Sequence, residues 1–598
     1  MQQESRKKKK VFGSVVFVSL LMRVINLDIP IGNDLHAFRQ TQTAMTVQNY
    51  FQEGWSLFHY KTPVFGEPWQ VLMECPIYQT AVYAVMRVLN LSDTDFGCRL
   101  VSLLLFYLSA VLLKKVADML IPKEASAFVC GVYLLSAFNI FWSRAAMIDY
   151  MSVFFALLYV WGLYGWLLHG TLSKYMAGLF FGCLGYLLKA TTMFPYVYLL
   201  MFLIITQFIR EIRQGEWKGN RSVYSYLRQN RRRILLLALV CILPVIAGAM
   251  WTYYADCIKE KSLYTAWLTS ENLHSWNYGT LAQKLDFNCW KVIIERLYCF
   301  FGDSILFWAL LAGGGVAAYK KQEAHVLAYS FISCMLAIIT LFNLYYVHDY
   351  YLIAVSPLIC MFFGILLYEI KEAVWKEGNT GRIGFGILLV VMLCLQVQSN
   401  RPYIDGILYG NKQTRELARS VNQATSQEEL VVIEGEDWSP VTLYYAQRKG
   451  FMVKMPEWIL DEAFFEFLHR DNYTTLVAHS LDTAGLFSQH YDAVAQYPGS
   501  MEGYVYKLFR KAEAAEVFRS SRIYDMQADG ETGTVLDWDA EYMQIHYADI
   551  GASREVTVEV TDRHGNVYTD KVNLPTGCEE IYYKVGALCE MPAKVRFI

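Results

Sequence analysis

The sequence is poor in charge. Asp, Glu, Lys and Arg make up 18% of its 598 residues, against about 25% in soluble globular chains. Neither sign is in excess: 53 basic and 55 acidic residues give a formal net charge of −2. No global basic field therefore points to nucleic acid. The 13 cysteines form no CxxC pair and no zinc-type cluster, which argues against a zinc ribbon or a small disulfide scaffold. Internal repeats and low-complexity linkers are lacking too. Apolar side chains are abundant instead, with 55% hydrophobic and 15% aromatic residues. Length alone suggests roughly four domains of about 150 residues. The apolar excess suggests one large membrane domain plus a soluble part.

A bilayer core about 30 Å thick asks for roughly 20 apolar residues per helix. About eleven stretches qualify, near 11–28, 98–118, 125–142, 150–168, 174–189, 191–209, 234–254, 297–319, 324–346, 350–370 and 383–399. The first has the basic start of a signal peptide but no small-residue cleavage site, and reads as a retained helix. Lys and Arg set the orientation. Arg6 to Lys10, Lys114, Lys115 and Lys123, the basic run from Arg210 to Arg233, Lys320, Lys321, Lys371, Lys376 and Arg382 all fall on one side. The N-terminus is thus expected in the cytoplasm. An odd number of spans carries the C-terminal third outside. Cysteines in the apolar runs (Cys130, Cys183, Cys241, Cys334, Cys360, Cys394) read as small core hydrophobes. Cys578 and Cys589, in the polar C-terminal part, are open to either a bridge or two free thiols.

The expected architecture is a multi-pass α-helical membrane domain over 1–400. An extracytoplasmic α/β domain follows over 401–511, then a small β-rich domain over 512–598. Leu430–Ile433, Thr475–Ala478 and Tyr504–Leu508 read as strands, with a helix over Val441–Arg448. Glu555–Val560 and Val567–Val572 alternate about a turn at Asp562–Asn566, a hairpin signal. Glu580–Val585 and Ala593–Phe597 complete the β module. Two long outer loops, about 29–97 and 255–296, exceed what mere connection needs. The first holds two amphipathic stretches, Thr41–Gln52 and Ile77–Leu89, which read as helices at the membrane surface.

Polar groups gather where this topology meets the outer face. The first outer loop opens Gly32–Asn33–Asp34–Leu35–His36–Ala37–Phe38–Arg39–Gln40–Thr41–Gln42–Thr43. An acid there can take a proton from a hydroxyl, and an arginine can clamp a phosphate. A capped surface helix with Arg39 and Gln42 in solvent accounts for the same residues. Glu74, in Met73–Glu74–Cys75–Pro76, suits a sugar hydroxyl or a metal, and equally a helix start at Pro76. Arg144 and Asp149 flank a short outer turn and could pair with each other. Lys189 lies between two apolar spans and must snorkel or meet an anion. His348–Asp349–Tyr350–Tyr351 could contact a lipid phosphate or belong to an interfacial aromatic belt.

Taken in this order, the residues resemble the membrane-embedded GT-C glycosyltransferases, near the bacterial protein O-mannosyltransferase and aminoarabinose transferase families. The resemblance covers roughly residues 11–400. It rests on Asp34 with Arg39–Thr43, Glu74–Tyr78, Arg99 with Ser102, Asp149, Lys189, Trp276–Leu281, and His348–Tyr351 leading to Pro357. Asn33 beside Asp34, and Cys75 before Pro76, depart from the family pattern. The resemblance implies a sugar moving from a polyprenyl-phosphate donor to a lipid, glycan or protein acceptor in one inverting displacement. Asp34 would be the catalytic acid or base. Arg39, Lys189, His348 and Tyr351 would bind the donor phosphate. Glu74, Asp149 and His36 would touch substrate or a divalent metal ion, whose requirement stays open. Membrane lipids are implied as partners and nucleic acid is not. A polytopic transporter or lipid flippase is the rival reading. Such proteins tend to show repeated halves and mid-membrane polar groups, whereas here no repeat is visible. A non-catalytic envelope scaffold is a third reading, in which the first-loop charges would be dispensable.

Overall fold

The computed structural model describes residues 2–408 apart from 34, 214–227, 301, 319–320 and 322. Beyond 408 it describes the strands and helices named below, with residues 417–419, 421–422, 425–460, 471–472, 487 and 565–566. Asp34, Cys578, Cys589 and most of the basic run between Arg213 and Arg228 lie outside the described residues. The chain divides into two compact units. One comprises residues 1–36, 46–61 and 70–410; the other comprises 37–45, 62–69 and 411–598.

The first unit is helical. Its elements are α1 (Gln2–Val24), α2 (Ala37–Glu53, whose first turns belong to the second unit), α3 (Ile77–Leu89), α4 (Thr94–Asp118), α5 (Lys123–Leu135), α6 (Ala137–Trp142), α7 (Asp149–His169), α8 (Leu172–Arg213) and α9 (Arg231–Lys259). After these come α10 (Phe287–Leu297), α11 (Ser304–Ala318), α12 (Glu323–Thr340), α13 (Phe342–Val347), α14 (Leu352–Val374), α15 (Gly378–Ser399) and α16 (Arg401–Leu408). Among the described residues five helical stretches are long and apolar enough to cross a membrane: 94–118, 149–169, 172–212, 231–259 and 349–399. Shorter apolar helices lie at Ser304–Gly313 and Ala324–Thr340. The chain is therefore a multi-pass, mostly α-helical membrane protein.

Two of the five stretches fold back on themselves. α8 has 42 residues, which drawn straight would reach about 63 Å, twice a bilayer core. Yet Arg233 donates to Glu211 near its far end (2.9 and 3.0 Å) and to the Leu167 carbonyl just before its start (2.9 Å). The chain must reverse between them, and the one non-helical residue inside α8 is Lys189, at φ −162°, ψ 89°. Gly185 sits at the fold: a Cβ there would meet the Met193 sulfur at 2.5 Å. The first arm lies so close to α7 that a Cβ on Gly162 would meet the Gly178 nitrogen at 2.6 Å. The other reversal comes between α14 and α15, at Gly378 with φ +69°. Tyr368 before it and Phe385 after it both pack on Phe128, with ring centroids 6.1 and 6.2 Å away.

The second unit is built on sheets. β1 (Leu430–Ile433), β2 (Gly450–Met452), β3 (Tyr473–Ala478), β4 (Asp492–Pro498) and β5 (Val505–Arg510) form one sheet in the order β2-β1-β3-β5-β4. β1 runs parallel to β2 and β3, while β5 and β4 are antiparallel. The connecting helices are α17 (Val441–Ala446) and α18 (Glu462–Arg470). Val431, Val432 and Ile433 are fully buried, as a strand covered on both faces requires. Two segments of the first outer loop belong to this unit. The Pro63 and Val64 carbonyls accept from Gly450 and Met452 (3.3 and 2.7 Å), extending the sheet beyond β2. Phe65 packs on Phe451, Trp438 and Trp458.

The remaining strands are β6 (Gln527–Asp529), β7 (Thr534–Trp538), β8 (Tyr542–His546), β9 (Arg554–Asp562), β10 (Val567–Leu574), β11 (Glu580–Lys584) and β12 (Pro592–Phe597). They make a four-stranded sheet, β10-β9-β12-β6, and a three-stranded one, β11-β8-β7. The β9–β10 hairpin pairs Val556 with Val572 and turns at Gly565, φ +84°, where glycine alone adopts the conformation without cost.

Candidate functional site

The site grows from the two ends of one reversal and from one irregular junction. α7 begins at Asp149, directly after the tight turn Ser143–Ile148. Lys189 stands at the vertex of the α8 hairpin, where the interrupted helix turns its side chain toward α7. The Lys189 ammonium donates to Asp149 Oδ1 at 2.7 Å, with 4% and 1% of the two side chains exposed. Asp149 Oδ2 has no protein hydrogen-bond partner among the described residues. A buried ion pair gains little net stability, because desolvation offsets most of the attraction. Its presence here makes chemical sense if the charge is used.

The same ammonium lies 4.6 Å from the Tyr351 ring centroid and 5.4 Å from that of Tyr350. These tyrosines come from the short 3₁₀ turn Asp349–Tyr351 between α13 and α14. Tyr350 and Tyr351 stack at 4.9 Å, and His348 stacks on Tyr350 at 5.1 Å. His36 meets Tyr350 edge-on at 5.1 Å, with His348 6.0 Å and Trp142 5.6 Å away. His36 Nε2 is 2.7 Å from Asp349 Oδ1. The other Asp349 oxygen accepts from the Tyr403 hydroxyl. Burial first, then the neighbouring His36, pulls the His348 imidazole down to about 4; Asp349 opposes this and Lys189 and Arg296 add to it. His348 is therefore neutral at pH 7. It can donate a hydrogen bond but supplies no charge.

Five of the residues singled out from sequence thus share one cluster: Asp149, Lys189, His348, Tyr351 and His36. Glu74 is tied to it through the backbone. Its carbonyl accepts from the Tyr60 hydroxyl (3.1 Å), and the next amide, Cys75, donates to Leu187 at 3.2 Å, two residues from Lys189. Arg39 lies in the second unit on the first turn of α2, with Nη1 3.4 Å from Gln42 Oε1. Asp34 lies outside the described residues. Among the described residues no three His, Cys, Asp or Glu side chains converge as metal ligands would.

Three of the plainer readings change. Arg144 does not pair with Asp149. Its guanidinium donates to the Ile25 and Asn26 carbonyls and, at 3.4 Å, to that of Arg23, where the end of α1 leaves acceptors without helical partners. Lys189 does not snorkel. Nor is α2 a surface helix with a solvated face: Gln40 to Val47 are all buried, Gln42 included. Asp349, Tyr350 and Tyr403 belong to the cluster without having been singled out. The first two stand inside the His348–Tyr351 motif, which was the available signal, whereas nothing local marks Tyr403.

No protein-family model matches the chain, and no curated protein does. Its fold is nevertheless shared with solved structures. ArnT from Cupriavidus metallidurans in the apo state superposes with a TM-score of 0.53 at 13% identity, covering 85% of this chain and 99% of that one. The same protein bound to undecaprenyl phosphate gives 0.51 at 13% identity, covering 83% and 97%. At such identity the likeness is one of fold alone.

Proposed function

We propose that the chain transfers a sugar from a polyprenyl-phosphate donor to an acceptor hydroxyl at the outer face of a bacterial plasma membrane. The observation that carries this reading is the buried Lys189–Asp149 pair against Tyr351. The fold shared with an ArnT structure that holds undecaprenyl phosphate supports it. An odd number of crossings, eleven in this reading, would put the C-terminal unit on the outer side with the site.

The reaction is one inverting displacement. The acceptor oxygen bonds to the anomeric carbon as the bond from that carbon to the phosphate oxygen breaks. The electron pair leaves with the polyprenyl phosphate, and the acceptor proton passes to Asp34. Lys189 has three N–H donors, one of them engaged by Asp149; the others can meet the phosphate as charge builds there. Asp149 aims the ammonium. His348 contributes a neutral donor, Tyr351 a hydroxyl and a ring face, and Arg39 a second cation on the first-loop helix. Glu74 and His36 are assigned to the sugar and acceptor. The reading routes no step through a metal, and a chelator arm in the assay tests that choice. Lipid, glycan and protein hydroxyls all remain acceptor classes.

The test is Asp34→Asn in the purified full-length protein, assayed with undecaprenyl-phosphate-linked hexoses and pentoses. Turnover should fall at least about 1,000-fold while undecaprenyl phosphate still binds. Wild-type turnover in a correctly folded variant would reject Asp34 as the catalytic group.

A further inference from the structure

Trp276 stands in the short helix His274–Tyr278 of the second long loop. Its side chain is 46% exposed, and it meets the His348 ring edge-on with centroids 6.1 Å apart. A single exposed apolar side chain says little by itself. This one is held in place. Its carbonyl accepts from Asn343 Nδ2 at 2.8 Å, and Oδ1 of the same amide accepts from Gln283 Nε2 at 2.7 Å. Between Trp276 and Gln283 the chain turns at Gly279, φ +70°, where a Cβ would meet Gln283 Oε1 at 2.9 Å and the Asn343 nitrogen at 3.2 Å. Asn343 belongs to α13, a helix of six residues whose C-cap is His348. The same helix therefore carries the anchor of Trp276 at one end and leads into the row of His348, Tyr350 and Tyr351 at the other.

That row has two ends. At one, the Lys189 ammonium lies over Tyr351 and Tyr350. At the other, Trp276 stands beside His348, half open to solvent. In an in-line displacement the leaving phosphate and the attacking hydroxyl occupy opposite sides of the anomeric carbon. With the phosphate at Lys189, the transferred sugar lies along the row and the acceptor lies toward Trp276. We infer that Trp276 is a specificity-determining residue whose indole face takes the C–H face of a pyranose ring carried by the acceptor. An indole offers a large, rigid apolar face, and a pyranose offers a face of C–H bonds with its hydroxyls around the edge. A sugar-bearing acceptor, glycan or glycolipid, is thereby favoured over a peptide hydroxyl. This rests on the transferase reading above and names the chemistry of the acceptor within it.

The experiment uses full-length protein in nanodiscs, labelled with 5-fluorotryptophan, the Trp276 fluorine signal being assigned through Trp276→Phe. The probes are the methyl pyranosides of glucose, galactose and mannose, with sorbitol as an open-chain control. At least one pyranoside should shift the Trp276 signal saturably, and sorbitol should not. Undecaprenyl phosphate, bare or carrying a hexose, should leave that titration within twofold. Displacement by the hexose-bearing lipid alone would put the pyranose on the donor and overturn the acceptor assignment. Saturation transfer from protein to the bound pyranoside reads the variants. Trp276→Ala should weaken pyranoside binding at least about tenfold while undecaprenyl phosphate affinity stays within twofold, and Trp276→Phe, which keeps a ring, should retain most of it. A Trp276 signal indifferent to every pyranoside, or pyranoside and undecaprenyl phosphate affinity falling together with melting temperature in both variants, would overturn the inference. If the wild type turns over no polyprenyl-phosphate sugar, the transferase reading fails, while the titration still decides whether Trp276 takes a pyranose.

Discussion

Two groups of buried cations lie in the same helical unit, and they are treated in opposite ways. Arg23, Arg99 and Arg144 are 0%, 1% and 2% exposed. Arg23 donates to Ser143 Oγ (2.7 Å), Ser19 Oγ (2.7 Å) and the carbonyls of Ser19 and Leu134 (3.1 and 2.9 Å), and its guanidinium lies 4.2 Å from the Phe106 ring centroid. Arg144 caps the end of α1, and Arg99 donates to the Arg144 carbonyl at 3.2 Å. The hydrogen bonds described for these guanidinium groups run to backbone carbonyls and serine hydroxyls. Lys189 shows one carboxylate and two tyrosine faces instead. Arginine's fixed fork suits the first task, and a compact ammonium with rotatable donors suits the second. The contrast separates charge that joins helices from charge left able to meet a ligand.

The largest expected effect comes from Lys189→Ala. It leaves Asp149 buried without its counter-charge, a loss of about 3–5 kcal/mol, and removes a donor from the leaving phosphate, worth about 100–1,000-fold in rate. The two consequences can be separated. A Lys189→Met/Asp149→Leu double variant should recover melting temperature, because a buried pair is replaceable by apolar groups, yet still fail to bind undecaprenyl phosphate. If the double variant binds it normally, the pair is merely structural and the contrast with the arginines disappears.

Arg144→Ala should act the other way round. It strips acceptors at the end of α1 of their donors, each unsatisfied group costing about 1–3 kcal/mol. Melting temperature should fall clearly, while undecaprenyl phosphate affinity per folded molecule stays within twofold. Lost affinity with unchanged melting would move Arg144 into the donor site.

The sequence left the partners of Asp149, Lys189 and Arg144 open, for a physical reason. The break between the spans at Lys189 was legible from hydropathy, and so was the placing of Asp149 at a helix start. Their pairing was not, because it joins residues 40 positions apart through a hairpin whose closure depends on Gly185, Met193 and the Gly162–Gly178 contact. Arg144 and Asp149, five residues apart, looked like the natural pair until the carbonyls at the end of α1 claimed the guanidinium. In the soluble part the β9–β10 hairpin was readable from alternation and Gly565, since both signals are local. The addition of residues 63 and 64 to the sheet edge was not. It depends on backbone hydrogen bonds to Gly450 and Met452, for which side-chain patterning carries no mark. Tyr403 is hidden for a similar reason, reaching Asp349 across 54 residues.

The smallest expected effect sharpens the contrast at its aromatic end. His348 is neutral in the folded protein, held down to about 4 by burial and by His36, while Asp349 pulls the other way. In the unfolded chain it would take up a proton near its ordinary value of about 6.5. Between those values the unfolded state binds more protons, so stability rises with pH there and is lost as pH falls from about 6.5 toward 4. Above about 6.5 the group contributes no slope. Because His348 is only part-buried, solvent screening trims the effect to roughly 1–2 °C of melting temperature per pH unit. Melting curves of the wild type and His348→Gln between pH 4.5 and 7.5 measure it, and the variant should be flatter over the acid half. Parallel curves would mean that His348 titrates normally. It could then share the donor's charge with Lys189, and that lysine would lose its standing as the cation of this aromatic row.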